Sequence, residues 1–375
     1  SGGVIKNKAV INKNYGTGGR PWATSWSGPP TLSEDGNRVT FGGTYYDGKG
    51  FMAIYDRANN DFVEVPGHNI APDNFQFYFD NVSSDLPVNN QNLQRWGKWN
   101  VLLSHNGETI VTPMRNAKRD SNNNWVHQII ALDVSAYTAP GEGYDGSGAP
   151  SGVYTPLDVA LQLGSDIEDD DAYDFTAVSL NRDGTIVAVG FLEETWINSI
   201  VVQIYQYSNN TWTQLGQDIV GDNSEANNGA SSISISLSSD GTIVAIGSPF
   251  SNSDDGYVRV YQWNASSNCG QGAWEQLGSD IDNNVANDFS GWSVSLSGDG
   301  TIVAIGNTDS DGNGNNSGHV RVYQWNASSN CGQGAWEQLG SDIDGKVADG
   351  DSGWSVSLSS DGTIVAIGAP ESRKS

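Results

Sequence analysis

The sequence GWSVSLSGDGTIVAIG at residues 291–306 decides the fold, because its pattern recurs along the chain. A near-identical copy follows 62 residues later at 353–368, and residues 258–282 recur unchanged at 320–344. Weaker copies occupy residues 232–247 and 176–190, and degenerate copies occupy 32–43 and 102–111. The turn glycines of these six units are Gly36, Gly107, Gly184, Gly241, Gly300 and Gly362. Self-similarity at this period indicates an architecture that repeats one small supersecondary unit.

Each unit predicts four antiparallel strands, which we name A to D. Trp292, Val294 and Leu296 alternate with serines, which is typical of a strand with one buried face. An Asp-Gly turn leads into a β-branched run that reads as strand B, buried on both faces. Residues 319–325 and 336–339 supply strands C and D. Repeated four-stranded sheets predict an all-β chain: a β-propeller of six blades, with seven as the alternative.

The whole chain, residues 1–375, is predicted to be a single propeller. Residues 161–375 form the near-identical acidic repeats, whereas 66–100 and 136–160 are insertions within or between the early blades. Because the sixth unit has only strands A and B, it presents an open edge that another strand should complete. Residues 1–16, which contain the alternating segment 4–11, are the candidate closing strand.

Two parts of the repeat resemble known propeller families. Residues 291–294 and 368–370 resemble the two halves of the FG-GAP repeat of integrin α-subunit propellers. The A–B turn also resembles the Ser-x-Asp-Gly turn of WD40 and TolB-type blades. The resemblance covers residues 160–370 well and 20–135 weakly, and it implies a β-propeller. The FG-GAP family also carries a Ca²⁺ loop, but its ligand positions here are Ser236, Ser238 and Asp240, so we expect no Ca²⁺ at the A–B turns.

The chain is strongly acidic, with a formal net charge of −26 and a pI near 4.2. Nucleic acid and anionic membrane surfaces are therefore excluded as partners, because both repel an acidic protein. The longest apolar runs are about five residues, too short for membrane insertion. The charge is uneven: residues 1–120 carry a net charge of +1 and residues 121–375 carry −27.

The acidic residues concentrate in B–C loops and in the connections from strand D to the next strand A. Strand alternation places both kinds of loop at the same end of a blade. This end is either a solvated, solubilising face or a surface for divalent cations or cationic partners. The residues concerned are Asp166, Glu168, Asp169, Asp170, Asp171, Asp174, Asp254, Asp255, Asp280, Asp282, Asp288, Asp309, Asp311, Asp342, Asp344, Asp349 and Asp351.

The best metal candidate is one B–C loop with oxygen ligands at alternate positions before a glycine. Asn307, Asp309, Asp311 and Asn315 surround Gly312, which matches the first half of a Ca²⁺ loop. A bidentate Glu at the twelfth position is missing, so the loop is not an EF-hand. Calcium bound weakly at this loop is the one cofactor that the sequence predicts.

Five asparagines stand in glycosylation sequons, and they favour a secreted glycoprotein at an extracellular or cell-surface location. They are Asn81, Asn209, Asn264, Asn315 and Asn326. Cys269 and Cys331 occupy equivalent places in neighbouring units, about 15–20 Å apart, which is too far for a disulfide. We expect both thiols to be unpaired, with an intermolecular bridge as the alternative.

Familiar catalytic motifs are absent from the sequence, and the four histidines are scattered along it. The sequence therefore predicts no enzyme but a non-enzymatic extracellular structural, adhesion or protein-interaction propeller, within a larger surface or filamentous assembly. Its expected partners are proteins or further copies of itself. One alternative is a lectin-like, carbohydrate-binding propeller, for which glycans are the partners. The second alternative is a secreted hydrolase or lyase with an active site in the channel.

Overall fold

The computed structural model describes residues 23–26, 31–33, 37–45, 50–58, 61–64, 102–119, 125–135, 161–165, 167–169, 172–193, 200–221, 233–251, 255–282, 288–311 and 313–370. The chain divides into two compact units, Ser1–Leu163 and Gly164–Ser375, and each is described by itself. The insertion 66–100 and the candidate closing strand lie outside the described residues, as does insertion 136–160.

Two antiparallel sheets, blades 1 and 2, occupy the described part of the first unit. The strands of blade 1 are β1 (Ala23–Trp26), β2 (Thr31–Leu32), β3 (Arg38–Tyr45), β4 (Gly50–Ala58) and β5 (Asp61–Glu64). The strands of blade 2 are β6 (Leu102–Leu103), β7 (Thr109–Arg119), β8 (Trp125–Asp133) and β9 (Leu161–Gln162). The guanidinium of Arg38 in blade 1 donates to the carbonyls of Gly107 and Val134, at 2.8 and 3.0 Å.

Four further sheets, blades 3 to 6, occupy the described part of the second unit, which begins with β10 (Ile167–Asp169). Blade 3 contains β11 (Ala172–Leu180), β12 (Ile186–Glu193), β13 (Ile200–Ser208), β14 (Thr211–Gln214) and β15 (Ile219–Val220). Blade 4 contains β16 (Ser234–Leu237), β17 (Ile243–Ser248), β18 (Tyr257–Asn264) and β19 (Ala273–Gln276). Blade 5 contains β20 (Ser293–Leu296), β21 (Ile302–Asn307), β22 (His319–Asn326), β23 (Ala335–Gln338) and β24 (Ile343–Asp344). Blade 6 contains β25 (Ser355–Leu358) and β26 (Val365–Gly368).

These sheets confirm the predicted all-β class and the A-B-C-D order of the repeat. In blade 5, β20 pairs with β21, β21 with β22, and β22 with β23, all antiparallel. The C–D loops of blades 4 and 5 each contain one short helical turn, α1 (Ser267–Gly270) and α2 (Ser329–Gly332). In the described part of the chain, these helices are too short to span a membrane. The number of blades in the whole protein stays a prediction.

Strand B is buried on both faces because each face packs into a different hydrophobic core. Every residue of β17 is buried. Val244 and Ile246 pack with apolar side chains of blade 3, whereas Ile243 and Ala245 pack with those of blade 5. A β-branched run such as Ile243–Ser248 therefore fits a strand between neighbouring blades, as predicted.

The A–B turn glycine is required by its backbone and by its neighbour. Gly300 has φ 71°, and a Cβ at this position would lie 2.6 Å from Cδ1 of Ile243 in the preceding blade. Gly241 and Gly362 meet Ile186 and Ile302 in the same way. The Asp-Gly turn of each repeat thus also packs one blade against the previous one.

Candidate functional site

A buried polar pair closes the B–C end of blade 5. Strand β21 ends at Asn307 and β22 begins at His319, and the two residues are partners in the strand register. Their exposed fractions are 1% and 2%. Neither the amide of Asn307 nor either ring nitrogen of His319 has a hydrogen-bond partner among the described residues. A buried polar group without a partner costs about 1–3 kcal/mol, so such a pair calls for an explanation.

The same position in blade 4 carries different side chains. There Ser248 is the register partner of Tyr257. The hydroxyls of Ser248 and Ser251 lie 2.7 Å apart, and the guanidinium of Arg259 lies 4.3 Å from the centre of the Tyr257 ring. The next 25 residues after Tyr257 and His319 are identical in the two repeats. The Asn307–His319 pair is therefore a local change within a duplicated scaffold.

Burial also shifts the proton affinities at this end of blade 5. Burial lowers the pKa of His319, and the positive charge of Arg321 lowers it further against the opposing effect of Asp342 and Asp344. Burial raises the pKa of Asp309, and the negative charge of Asp311 raises it further. The imidazole is consequently neutral at neutral pH, with one nitrogen able to donate and the other able to accept a proton.

A row of aromatic rings starts beside this pair. The amide of Trp292 donates to the carbonyl of Gly306 at 3.1 Å. A Cβ at Gly353 would lie 2.8 Å from the carbonyl oxygen of His319 and 3.1 Å from the amide nitrogen of Asn307. The residue that follows Gly353 is Trp354. The starts of strand A in blades 5 and 6 therefore lie against the buried pair.

This aromatic row comprises Phe250, Phe289, Trp292 and Trp354, from blades 4 to 6. The rings of Trp292 and Trp354 have centroids 5.0 Å apart, and those of Phe250 and Trp292 are 6.0 Å apart. Phe289 completes the group at 5.3 Å from Phe250. Trp354 is 48% exposed, and the other three rings are partly buried. Contiguous exposed aromatic side chains are candidates for a binding surface, and Trp354 is the exposed end of this row.

Phe289 has an unfavourable backbone conformation. Its φ is 50°, which is rare for a bulky side chain. The equivalent position in blade 6 is Asp351, with φ 47°, and both residues accept a backbone hydrogen bond from the following tryptophan. The turn therefore imposes the positive φ in both blades. Asp tolerates it, whereas Phe is strained, and such strain concentrates at functional sites.

The turn aspartates have a structural role. The carboxylate of Asp299 accepts hydrogen bonds from the Ser297 hydroxyl at 2.7 Å and from the amide and hydroxyl of Thr301 at 3.0 and 2.9 Å. Burial raises the pKa of Asp299, but these hydrogen bonds outweigh it and the pKa is lowered. For Asp361, hydrogen bonds led by that from Ser359 lower the pKa to about 2. These carboxylates are saturated with protein donors.

Part of the predicted acidic face is paired with arginine. Arg259 and Asp280 form a two-point contact, with both N–O distances 2.9 Å, and Arg321 and Asp342 repeat it at 2.9 and 2.8 Å. The hydrogen bond from Arg321 is the main reason why the pKa of Asp342 falls to about 2. Asp280 and Asp342 thus stabilise their own blades instead of contributing to an open acidic surface.

The predicted calcium ligands lie in different environments. Asn307 is buried in a strand, Asp309 is partly buried, and Asp311 and Asn315 are exposed. Asp311 accepts a hydrogen bond from the Asn316 amide at 2.9 Å. The residues that the structure describes contain no cluster of three or more His, Cys, Asp or Glu side chains that could hold a metal ion. Gly312 lies outside the described residues, and the calcium site stays a prediction.

The sequon asparagines lie mainly at the surface. Asn209 and Asn315 are exposed, whereas Asn264 and Asn326 are partly buried and donate to Glu275 and Glu337. Asn81 lies outside the described residues. Glycosylation at these positions also stays a prediction. The two cysteines, Cys269 and Cys331, are exposed and do not pair with each other. An intermolecular bridge stays the alternative.

No protein family and no curated protein matches this chain. Similar solved structures include a periplasmic gluconolactonase from Pseudomonas aeruginosa, 13% identical at a TM-score of 0.47, covering 91% of this chain and 72% of that one. A protein from Bacteroides fragilis described as a candidate 6-phosphogluconolactonase is 11% identical at 0.46, covering 84% and 69%. The β-propeller domain of the Trilobed protease from Pyrococcus furiosus is 10% identical at 0.41, covering 85% and 72%. The chain has the β-propeller fold. At these identities the likeness extends to the fold alone.

The comparison corrects the functional prediction. A non-enzymatic structural or adhesion module was expected, yet propellers of this architecture include proteins named as lactonases, which are enzymes. That prediction, and with it the exclusion of an enzyme, is wrong. The physical reason is that a propeller assembles a site from side chains of several blades, so a missing contiguous motif excludes little.

Sequence reasoning missed His319, Phe289 and Trp354 as site residues. These residues could have been found in the sequence as positions that differ between otherwise identical repeats. His319 stands where blade 4 has Tyr257, and Phe289 stands where blade 6 has Asp351. Differences between otherwise identical repeats are therefore candidate positions for chemistry that is specific to one blade.

Proposed function

We propose that the B–C end of blades 4 to 6 binds a saccharide or a neutral saccharide derivative, with the aromatic row as its platform. The observation that supports this proposal is the Trp292–Trp354 pair, with centroids 5.0 Å apart and Trp354 48% exposed. The face of an aromatic ring carries partial negative charge and attracts the C–H groups on the apolar side of a sugar ring. Two adjacent rings from different blades offer room for more than one such contact.

The net charge of the second unit favours uncharged ligands. Residues 164–375 carry 6 Lys/Arg and 29 Asp/Glu, a net charge of −23. Such a surface repels phosphorylated or acidic sugars, because like charges raise the free energy of the complex. We therefore expect neutral saccharides or their lactones to be preferred over phosphorylated ones.

Tryptophan fluorescence titration with neutral oligosaccharides, lactones and their phosphorylated counterparts tests this proposal. Trp354→Ala should lose binding, and Trp354→Phe should retain part of it. Trp325→Ala is the matched control, since Trp325 pairs with Trp336 away from the aromatic row. The proposal fails if the folded wild type binds none of the neutral sugars, or if Trp354→Ala binds them as well as the wild type does.

Hydrolysis of the bound sugar derivative is a second candidate function, supported by the buried pair Asn307 and His319. A neutral imidazole with a free nitrogen can take the proton from an attacking water. The water oxygen then bonds to the lactone carbonyl carbon, the ring C–O bond breaks, and the leaving oxygen receives the proton that His319 took from the water. His319→Gln should then abolish release of hydroxy acid while saccharide binding persists. Equal hydrolysis rates in the variant and the wild type would exclude this role.

The remaining predictions from sequence stand as separate proposals. Weak Ca²⁺ binding at the Asn307–Asn315 loop should raise the midpoint of thermal unfolding at millimolar Ca²⁺, because a ligand of the folded state stabilises it. An extracellular glycoprotein should lose mass on enzymatic deglycosylation. The FG-GAP resemblance is a separate proposal that the calcium result does not test, because its Ca²⁺ loop corresponds to the A–B turns, where we expect no Ca²⁺.

A further inference from the structure

The side chains of Asn307 and His319 point into the junction between blades 4 and 5. Val303 and Ile305 of β21 pack into the core that blade 5 shares with blade 4, and Asn307 lies further along the same face of this strand. His319 is the register partner of Asn307 on β22, so its side chain lies on the same face of the sheet. A molecule that reaches the buried pair must therefore enter between these two blades.

A turn of the main chain at residues 288–292 bridges the two blades at this end. On the side of blade 4, the amide of Ser290 donates to the carbonyl of Asp255 at 3.0 Å. On the side of blade 5, the amide of Trp292 donates to the carbonyl of Gly306, the residue before the buried asparagine, at 3.1 Å. The turn therefore lies across the entrance to the junction that contains the buried pair.

The turn also places a carboxylate inside this junction. Asp288 is 4% exposed. The pKa of Arg321 is raised chiefly by its hydrogen bond to Asp342, and the negative charge of Asp288 adds to this effect. Arg321 lies two residues after His319, on the same face of β22. Asp288 is thus close to the side chains that line the junction, and the next residue, Phe289, lies at its entrance.

Phe289 keeps the turn closed by weak ring contacts that oppose its own strain. Its φ is 50°, a conformation that a bulky side chain rarely adopts. Its ring meets those of Phe250 and Trp292 edge-on, with centroids 5.3 and 6.4 Å apart. Contacts of this kind stabilise by about as much as a positive φ destabilises a bulky residue. The closed turn and a relaxed turn are therefore close in free energy.

We propose that Phe289 is a gate whose ring closes the path from the aromatic row to Asn307 and His319. The gate opens when φ of Phe289 relaxes to a negative value and the ring leaves Phe250 and Trp292. A ligand on the aromatic row that takes over the contact with Trp292 favours the open state, because it binds that state more tightly. This coupling to a ligand rests on the proposed function, whereas the gate itself does not.

Carbethoxylation of histidine by diethyl pyrocarbonate, located by mass spectrometry, measures access to the buried pair in the folded chain. His319 should react at least about tenfold more slowly than the exposed His105, because it reacts only while the gate is open. Phe289→Asp should raise the rate at His319 at least about fivefold, since it removes the ring and introduces the residue that tolerates the equivalent turn. Tyr207→Asp is the matched control: it removes a partly buried ring of blade 3 and should leave this rate unchanged.

Fluorine NMR tests the gate without removing the ring. The full chain with 4-fluorophenylalanine at position 289 should give two fluorine resonances, or one resonance broadened by exchange between the closed and open states. A single sharp resonance at every temperature at which the chain is folded would overturn the two-state gate.

The carbethoxylation rates can also contradict the proposal. It is wrong if Phe289→Asp leaves the rate at His319 unchanged, if Tyr207→Asp raises that rate equally, or if His319 of the wild type reacts as fast as His105. A neutral oligosaccharide that binds should raise the rate at His319, and binding without such a rise would overturn the coupling to ligand. If no saccharide binds, the proposed function fails, and the comparison of Phe289→Asp with the wild type still decides whether the gate exists.

Discussion

Asp299 illustrates how one side chain organises the most regular turn of the repeat. It accepts hydrogen bonds from Ser297 and Thr301, and the Ser297 hydroxyl in turn accepts from the amide of Ile302 at 3.0 Å. Asn106 replaces this aspartate in blade 2 and makes two of the same contacts, with Ser104 and with the amide of Glu108. Acceptor geometry, rather than negative charge, is therefore what the turn requires.

We predict that Asp299→Ala lowers the free energy of unfolding by about 1–2 kcal/mol, because several donors of the turn lose their acceptor. Asp299→Asn should lower it by less than half as much, since the amide oxygen replaces the carboxylate as it does in blade 2. Urea unfolding of both variants measures the difference. Equal losses would show that the charge itself stabilises the turn.

His319 predicts a pH dependence of stability whose sign follows from its burial. Its pKa in the folded protein is lowered from the ordinary value of 6.5. As the pH falls through 6.5, the unfolded chain takes up a proton that the folded chain does not, so stability decreases. We expect His319→Tyr, which restores the residue found in blade 4, to reduce the loss of stability between about pH 7.5 and pH 5.

Urea midpoints of the wild type and His319→Tyr across this pH range measure the effect. His105→Tyr is the control, because His105 is exposed. The pKa of Asp309 is raised, so its contribution to stability increases as the pH falls. Because Asp309 is present in both proteins, this contribution is removed when their stabilities are subtracted. The prediction is wrong if both histidine variants change the pH dependence equally.

Among the elements, strand D joins each blade to the previous one through the hydrogen bond of its tryptophan. Trp336 contacts the ring of Trp325 in its own blade at 5.5 Å and donates to Leu277 in the previous one. Trp274 makes the equivalent contacts with Trp263 and Leu215. The repeated tryptophan is thus a packing residue, in agreement with its recurrence in the sequence, and it is distinct from the exposed Trp354.

We predict that Trp336→Ala destabilises the protein far more than Asp309→Ala. The tryptophan is partly buried and carries a hydrogen bond between blades, so its loss should cost about 3 kcal/mol. Asp309 has a pKa raised by burial, which means that its charge is unfavourably placed, and its removal should cost about 0.5 kcal/mol or less. The melting temperatures of the two variants, measured without added metal, test this prediction. Similar values would contradict a role for Trp336 in holding neighbouring blades together.

At the scale of the whole molecule, net charge is the dominant long-range effect. The chain carries −26, and repulsion among so many like charges opposes the compact state. We expect the melting temperature to rise by a few degrees when NaCl is increased from about 0.01 M to about 0.5 M, because salt shortens the range of this repulsion. A fall with NaCl would mean that attractive pairs such as Arg321–Asp342 outweigh the repulsion.

The repeat unit, the order of its four strands and the Asp-Gly turn could all be predicted from the sequence. These features depend on local chemistry: strand alternation has a period of two residues, and only glycine tolerates both the positive φ and the contact at Gly300. The β-branched composition of strand B likewise predicted that it is buried on both faces. The strand pattern is easy to recognise because nearly identical segments repeat it along the chain.

The side chains that form the candidate site come together only in the folded structure. Trp292 and Trp354 are 62 residues apart in sequence and become neighbours because consecutive blades pack side by side. Asn307 and His319 are separated in the sequence by the loop between their two strands, so the sequence does not show that they pair. Asp342 forms an ion pair with Arg321 across the strand C–strand D hairpin. The Trp292–Trp354 contact depends on how consecutive blades pack, whereas the two pairs within blade 5 depend on strand register across long loops. Residue spacing within one unit encodes neither, because both kinds of contact join residues that are distant in sequence.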